Sequence, residues 1–209
     1  LFMLNYIKHY ILVILTLTTF LQSEEPLSIG FWNAENLFDL ENDPNKNDDE
    51  FSIGGRKNVT QEIYDLKIRH CSEVLFDLDT DILGLCEIEN SKVLNDLNTA
   101  YIERDYSIIH YESPDNRGID NALFYDKNRF SVISSKAILN TLENGRNTRD
   151  ILYVEGKFQN KVLHIFINHW PSNYGGREKA IPKRTSTAEL IIKEIKTLKM
   201  NDEFAEIIL

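Results

Sequence analysis

The stretch Asp81-Ile82-Leu83-Gly84-Leu85-Cys86-Glu87-Ile88-Glu89-Asn90 decides how this chain is read. Its middle is apolar on both of the alternating faces that a strand presents, the pattern of a strand covered on both sides. It ends on Glu87 and Glu89, where a β-core would otherwise continue. A carboxylate in that place is either a ligand at the rim of a sheet or the terminator of a strand. Spacing alone leaves both readings open.

Upstream, Leu27 to Asn33 reads as a second buried strand. The segment Asp39 to Glu50 carries six carboxylates and one proline and reads as a loop. Its spacing does not match an EF-hand, because no glycine stands in the required place, so a solvated acidic loop is expected. Thr60 caps a helix running to about Asp77, with Ile63, Leu66, Ile68, Val74, Leu75 and Leu78 on its apolar face. Downstream, Lys92 to Tyr101 reads as a helix. Strands follow at Tyr106–Tyr111, Ile119–Tyr125, Phe130–Leu139, Ile151–Phe158 and Val162–Asn168. Gln159-Asn160-Lys161 joins the last two as a hairpin. Arg184 to Leu198 reads as a helix with the stripe Ala188, Ile191, Ile192, Ile195 and Leu198, and a last strand starts at Phe204. Without internal repeats, this order fits an α/β fold of mixed sheets covered by helices.

The chain has 209 residues, 42% apolar and 27% charged, which suits one globular domain plus a targeting segment. Lys and Arg number 23 against 33 Asp and Glu, a net charge of −10, which excludes a broad basic surface for nucleic acid. Phosphate chemistry here requires local arginine or a metal to overcome the overall field. Two cysteines exclude a disulfide scaffold. Cys71 falls on a helix and Cys86 in mid-strand, and both read as buried free thiols.

Near the first residues, Lys8 precedes a twelve-residue apolar run, Tyr10 to Leu21. A spanning helix needs about 20 apolar residues, so residues 1–23 read as an export signal with Ser23 before the cleavage site. The expectation is a periplasmic or secreted monomer, residues 24–209, with no stable membrane insertion once the signal is removed. The final Ile207-Ile208-Leu209 reads as the start of a strand, so further sequence is expected beyond it.

Four strand ends carry polar residues: Asn33 and Glu35, Glu87 and Glu89, Arg117 and Asp120, Asn168 and His169. Gathered at one rim, they are the inventory for metal-assisted phosphoester hydrolysis. A hard cation takes one or two carboxylates plus water and phosphate oxygens. Arginine grips phosphate bidentately, and histidine donates or accepts a proton. Each also has an ordinary reading: Asn33 as a turn former, His169 as a strand cap before Trp170-Pro171, Arg117-Gly118 as turn chemistry. His70 and His164 sit inside apolar elements and read as structural; His110 is open.

Four segments carry a resemblance. Phe31-Trp32-Asn33-Ala34-Glu35-Asn36-Leu37-Phe38-Asp39 resembles the first motif of the endonuclease/exonuclease/phosphatase superfamily, which is deoxyribonuclease I-like. The opening stretch, Asp81 to Asn90, resembles the second, whose glutamate binds Mg²⁺. Arg117-Gly118-Ile119-Asp120-Asn121-Ala122-Leu123-Phe124-Tyr125 resembles the strand that brings a phosphate-contacting arginine. Phe166-Ile167-Asn168-His169-Trp170-Pro171-Ser172 resembles the histidine motif. The acidic loop and Gly175-Gly176-Arg177 resemble an exported bacterial branch.

The resemblance implies a four-layer α/β sandwich, two mixed sheets flanked by helices and incomplete at the C-terminus. It implies Glu87 as the ligand of Mg²⁺ or Mn²⁺, with Asn33 and Glu35 beside the metal. Arg117, Asn168 and Arg177 would lie on the substrate phosphate, and His169 on the phosphate or leaving oxygen. The family's Gly-Asp-x-Asn and Asp-His motifs are not among the 209 residues. A truncated copy is therefore expected, inactive by itself and poorly soluble where inner sheet faces lie open. The leading substrate is nucleic acid. Other phosphoesters, including sphingomyelin, are the alternatives, and a non-catalytic remnant is the reading of another class.

Overall fold

The computed structural model describes residues 25–209. The expected export signal lies outside the described residues. Among the described residues, eight strands form two mixed sheets of four. The first contains β1 (Ile29–Leu37), β2 (Ile82–Ile88), β3 (Ser107–His110) and β4 (Asp120–Tyr125), in the order β1-β2-β4-β3. The second contains β5 (Ser131–Ile138), β6 (Ile151–Phe158), β7 (Lys161–Ile167) and β8 (Glu206–Ile208), in sequence order. Each sheet has one parallel pair, β1 with β2 and β7 with β8.

Alternation along the strands builds the layers. From β2, Leu83 and Leu85 join Tyr64, Ile68, Cys71 and Leu75 of α1 (Gln61–Leu78) and Val93, Leu94 and Leu97 of α2 (Ser91–Ala100). Ile82 points the other way and packs with Leu123, Phe130, Leu152, Val154, Leu163, Ile165 and Ile167 between the sheets. Ile151, Tyr153 and Phe166 face α3 (Arg177–Asn201), packing on Ile191. The result is helix, sheet, sheet, helix, the sandwich expected from the sequence. Gly84 lets the sheets approach, since a Cβ there would lie 2.6 Å from Ile167 Cδ1. Beyond it an apolar groove of about 740 Å³ opens between the edges of the sheets, lined by Ile29, Phe31, Ile192, Ile208 and Leu209 among others.

The helices start where capping chemistry allows. The Thr60 hydroxyl accepts from the Ile63 N–H, and Asn90 Oδ1 accepts from Lys92 and Val93. The third helix begins at Arg177, seven residues before the Arg184 start expected from the sequence, with Pro182 in its second turn. Proline there forfeits one backbone hydrogen bond, and the apolar residues on either side of it, Ala180 and Ile191, still reach the core. Both cysteines are free and buried, as expected; burial pushes the Cys86 thiol up to about 12.

The acidic loop departs from its solvated reading. Asp39 and Asp48 are buried. Asp39 accepts from Glu41 N–H and from Asn90 Nδ2, and Asp48 accepts from Asp43 N–H at 2.9 Å. Short carboxylates satisfy backbone donors that an irregular loop cannot pair with a ladder. Glu89 completes the anchor by accepting from Asp39 N–H at 2.6 Å.

Burial, reinforced by the charges of Asp39 and Asp48, pushes the Glu89 carboxyl up to about 8. The folded chain therefore holds a proton that the unfolded chain releases near an ordinary glutamate value. The sign follows: this contribution is full below about pH 4.5 and is lost as pH rises towards 8, on the order of a few kcal/mol. Urea unfolding is expected to show stability falling across that window in the parent chain, and a flatter profile in Glu89→Gln. Identical profiles would refute a buried proton on Glu89.

Candidate active site

A pair of bulges builds the site. The β1–β2 register breaks between Asn33 and Leu37, and the β2–β4 register breaks between Cys86 and Ile88. Glu35, Asn36 and Glu87 occupy the left-handed region, with φ of 53°, 57° and 60°. Such angles are uncommon away from glycine. They are held by side chains around them. Lys67 of α1 donates to the carbonyls of Glu35 (2.7 Å) and Asn36 (2.6 Å), and the Asn33 amide oxygen accepts from Glu35 N–H at 2.7 Å. Thus turned, Asn36 presents its N–H to Glu87 Oε2 at 3.0 Å.

The other Glu87 oxygen lies 3.4 Å from His169 Nε2, just after β7. The Glu87 and His169 side chains keep 15% and 16% of their surface exposed, so the pair sits at an accessible rim. Among the described residues, Glu87 forms no ion pair with lysine or arginine within 4.0 Å. Burial above all, with help from Arg149 and Arg117 and against the pull of Glu87 and Asp115, brings the His169 imidazole down to about 4. It is therefore neutral near pH 7.

Arg149, immediately before β6, is the residue that sequence reasoning missed. It is buried, donates to the Trp170 carbonyl at 3.2 Å and pairs with Asp115 at 3.4 Å. Asp115 also accepts from Arg117 N–H. Asn121, opposite Cys86 in the ladder, donates to the Asp150 carbonyl at 2.7 Å. The available signal was Thr148-Arg149-Asp150, a polar triplet leading directly into a strand, like the other rim positions. Four buried side-chain atoms at this rim have no hydrogen-bond partner among the described residues: Asn121 Oδ1, Arg149 Nε, Asn168 Oδ1 and His169 Nδ1.

The expected residues fall in different places. Glu87 and His169 meet at the rim, next to the β1 bulge that carries Asn33 and Glu35; Glu35 also lines a separate cavity with Lys67 and His70 of α1. Arg117 is half-exposed beside Asp115, 3.6 Å away. Asn168 folds back onto the Phe166 carbonyl and lines the apolar groove. Arg177 opens α3 in a separate cleft with Trp170 and Arg184. Asp120 is fully buried, pairing with His110 at 3.0 Å and accepting from Ser113 N–H. His110, Glu112 and Asp120 bring one ligand atom each within 4.8 Å of one another. His164 is buried against Tyr153, as its structural reading requires.

The oxygen donors at the Glu87 rim fit a hard divalent cation. The Glu87 carboxylate, with no lysine or arginine ion pair within 4.0 Å among the described residues, supplies a hard ligand, and the exposed Glu35 stands on the neighbouring bulge.

The family model for the Endonuclease/Exonuclease/phosphatase family matches residues 28–209. The chain belongs to the endonuclease/exonuclease/phosphatase family. No curated protein matches it. The fold is similar to that of family structures. TDP2 from Caenorhabditis elegans has a TM-score of 0.59 and 15% identity, over 87% of this chain and 45% of that one. An endonuclease/exonuclease/phosphatase from Bacteroides vulgatus has a TM-score of 0.54 and 18% identity, over 83% and 61%. TDP2 from D. rerio, complexed with a single-strand DNA product, has a TM-score of 0.53 and 19% identity, over 81% and 54%. The chain thus spans about half the length of these family structures.

Replacing Arg149 with methionine removes the largest charge acting on His169. In an NMR pH titration the His169 midpoint is expected to rise from about 4, yet to stay below 6.5 because burial is the larger cause. An unmoved midpoint would show that Arg149 is not electrostatically coupled to the rim.

Proposed function

We propose that the protein is a divalent-metal-dependent phosphoester hydrolase that cleaves nucleic-acid phosphodiesters. The observation that carries this reading is the Glu87 carboxylate, turned to the rim by a left-handed bulge, beside a neutral histidine and a fixed arginine. A purely structural carboxylate has no need of that backbone conformation. Family membership supports the reaction class. The D. rerio neighbour, which was captured with a single-strand DNA product, supports the choice of substrate.

A cation on Glu87, Mg²⁺ in the first instance and Mn²⁺ in the second, would supply Lewis-acid stabilisation of a phosphate oxygen. The chain's own residues account for the rest of the binding. His169 donates an N–H to the phosphate at neutral pH, when its imidazole is uncharged. Arg149, immobilised by Asp115 and the Trp170 carbonyl, offers a positive charge that needs no reorganisation as charge builds on the phosphate. Arg117 lies farther out, half-exposed on the Asp115 side of the rim. Asn33 and Glu35 complete the oxygen-rich side. The groups that would activate water in the family's pattern are not in this sequence, so hydrolysis is proposed of the whole protein. The apolar run Tyr10–Leu21 supports export, so the same proposal has the protein act outside the cytoplasm.

With a single-stranded oligonucleotide and Mg²⁺, Glu87→Gln in the whole protein is expected to lower cleavage by about 10²-fold or more, and EDTA to act equally. Undiminished cleavage would remove Glu87 from the metal. Turnover of phosphomonoesters or sphingomyelin but not of oligonucleotides would overturn the substrate, and no turnover of any would favour a non-catalytic remnant.

A further inference from the structure

Beside the rim lies a polar cleft of about 400 Å³ between the 113–117 loop, the 142–148 loop and the start of α3. Arg117, Arg146 and Lys183 line it, with Asn147 and Thr148 between them and Asp115 at the boundary with the site. Among the described residues, Arg146 and Lys183 form no ion pair, and Arg117 reaches only Asp115, at 3.6 Å. Asp115 is already shared with Arg149. Three cations thus converge on one cleft with a single, engaged carboxylate. In a chain of net charge −10, neutralising partners are plentiful. Leaving Arg146 and Lys183 unpaired keeps a local positive field where the overall field is negative.

The cleft and the site share a wall. Thr148 lines the cleft while its neighbour Arg149 faces the Trp170 carbonyl, and the Asp115–Arg149 pair stands between. No aromatic side chain lines the cleft, so it is built for phosphate and not for a stacked base.

We propose that this cleft binds a second phosphate of a nucleic-acid strand, next to the phosphate that faces Glu87 and His169. The proposal rests on the phosphoester reading above and deepens it. It makes the substrate a strand with a repeating backbone charge, held without regard to sequence by Arg117, Arg146 and Lys183.

The test uses the whole protein and a fluorescein-labelled single-stranded DNA 12-mer in EDTA, followed by anisotropy over a range of salt concentrations. The double variant Arg146→Gln/Lys183→Gln is expected to weaken binding by about tenfold or more. It should also make the log Kd against log salt slope shallower by about 0.7, one single-strand phosphate contact. The double variant Lys193→Gln/Lys196→Gln, with the same charge loss farther along α3, should leave the slope alone. An unchanged slope in the first variant, or an equal change in both, overturns the cleft. Tripolyphosphate binding that needs Arg146 and Lys183, without any strand binding, overturns the nucleic-acid occupant. The two readings fail separately. Strand binding lost as predicted with no hydrolysis of bis(p-nitrophenyl) phosphate by the parent whole protein sustains the cleft and refutes the hydrolase. Hydrolysis with unaltered strand binding refutes the cleft alone.

Discussion

The site depends on one backbone constraint: Glu87 leaves the β2 ladder in a left-handed conformation, and the neighbouring β1 bulge turns Asn36 to meet it. Three non-glycine residues in that region cost about 1–3 kcal/mol each. They persist because the surroundings fix them. Lys67 binds two of the bulge carbonyls, and the buried strands on either side, with Leu37 and Ile88 fully enclosed, fix the register. A regular ladder would alternate Glu87 to a face of the sheet. The bulge instead sets it at the end, where β7 can bring His169 from the other sheet. The two halves of the site thus come from the two sheets, and the packing of Ile82 and Leu123 against Ile165 and Ile167 aligns them.

Electrostatics then divides the labour. The chain is acidic, yet the rim holds an arginine that burial alone would discourage from carrying charge. Asp115 offsets that cost, and the Trp170 carbonyl takes a further donor. The same arginine, with burial, keeps His169 neutral. A neutral imidazole beside a carboxylate leaves the carboxylate's charge free for a cation. The buried atoms Asn121 Oδ1, Arg149 Nε and His169 Nδ1 have no hydrogen-bond partner among the described residues, which leaves polar capacity at the rim for a ligand.

The strand and helix order was legible because burial follows simple alternation. The apolar middle of β2, the Thr60 cap and the Gln159 hairpin each carried a local signal that the tertiary structure kept. The bulges were not legible, since Glu35, Asn36 and Glu87 carry no glycine to announce positive φ. The burial of Asp39 and Asp48 was hidden for a related reason: an acidic loop looks solvated until its carboxylates are seen to serve backbone donors. Arg149 escaped notice because it lies between the strands expected at Phe130–Leu139 and Ile151–Phe158, outside both. The third helix starts at Arg177, before the expected Arg184, because packing on the second sheet outweighs the one hydrogen bond lost at Pro182.

The central claim is that the Glu87–His169 rim takes the divalent cation. The most direct measurement is a Mn²⁺ titration followed by NMR of the histidine ring resonances, using paramagnetic broadening as the ruler. The account predicts that His169 broadens first while His70, His110 and His164 stay sharp, and that Glu87→Gln abolishes the effect. Selective broadening of His110 would place the cation at His110, Glu112 and Asp120 instead, and would contradict the account.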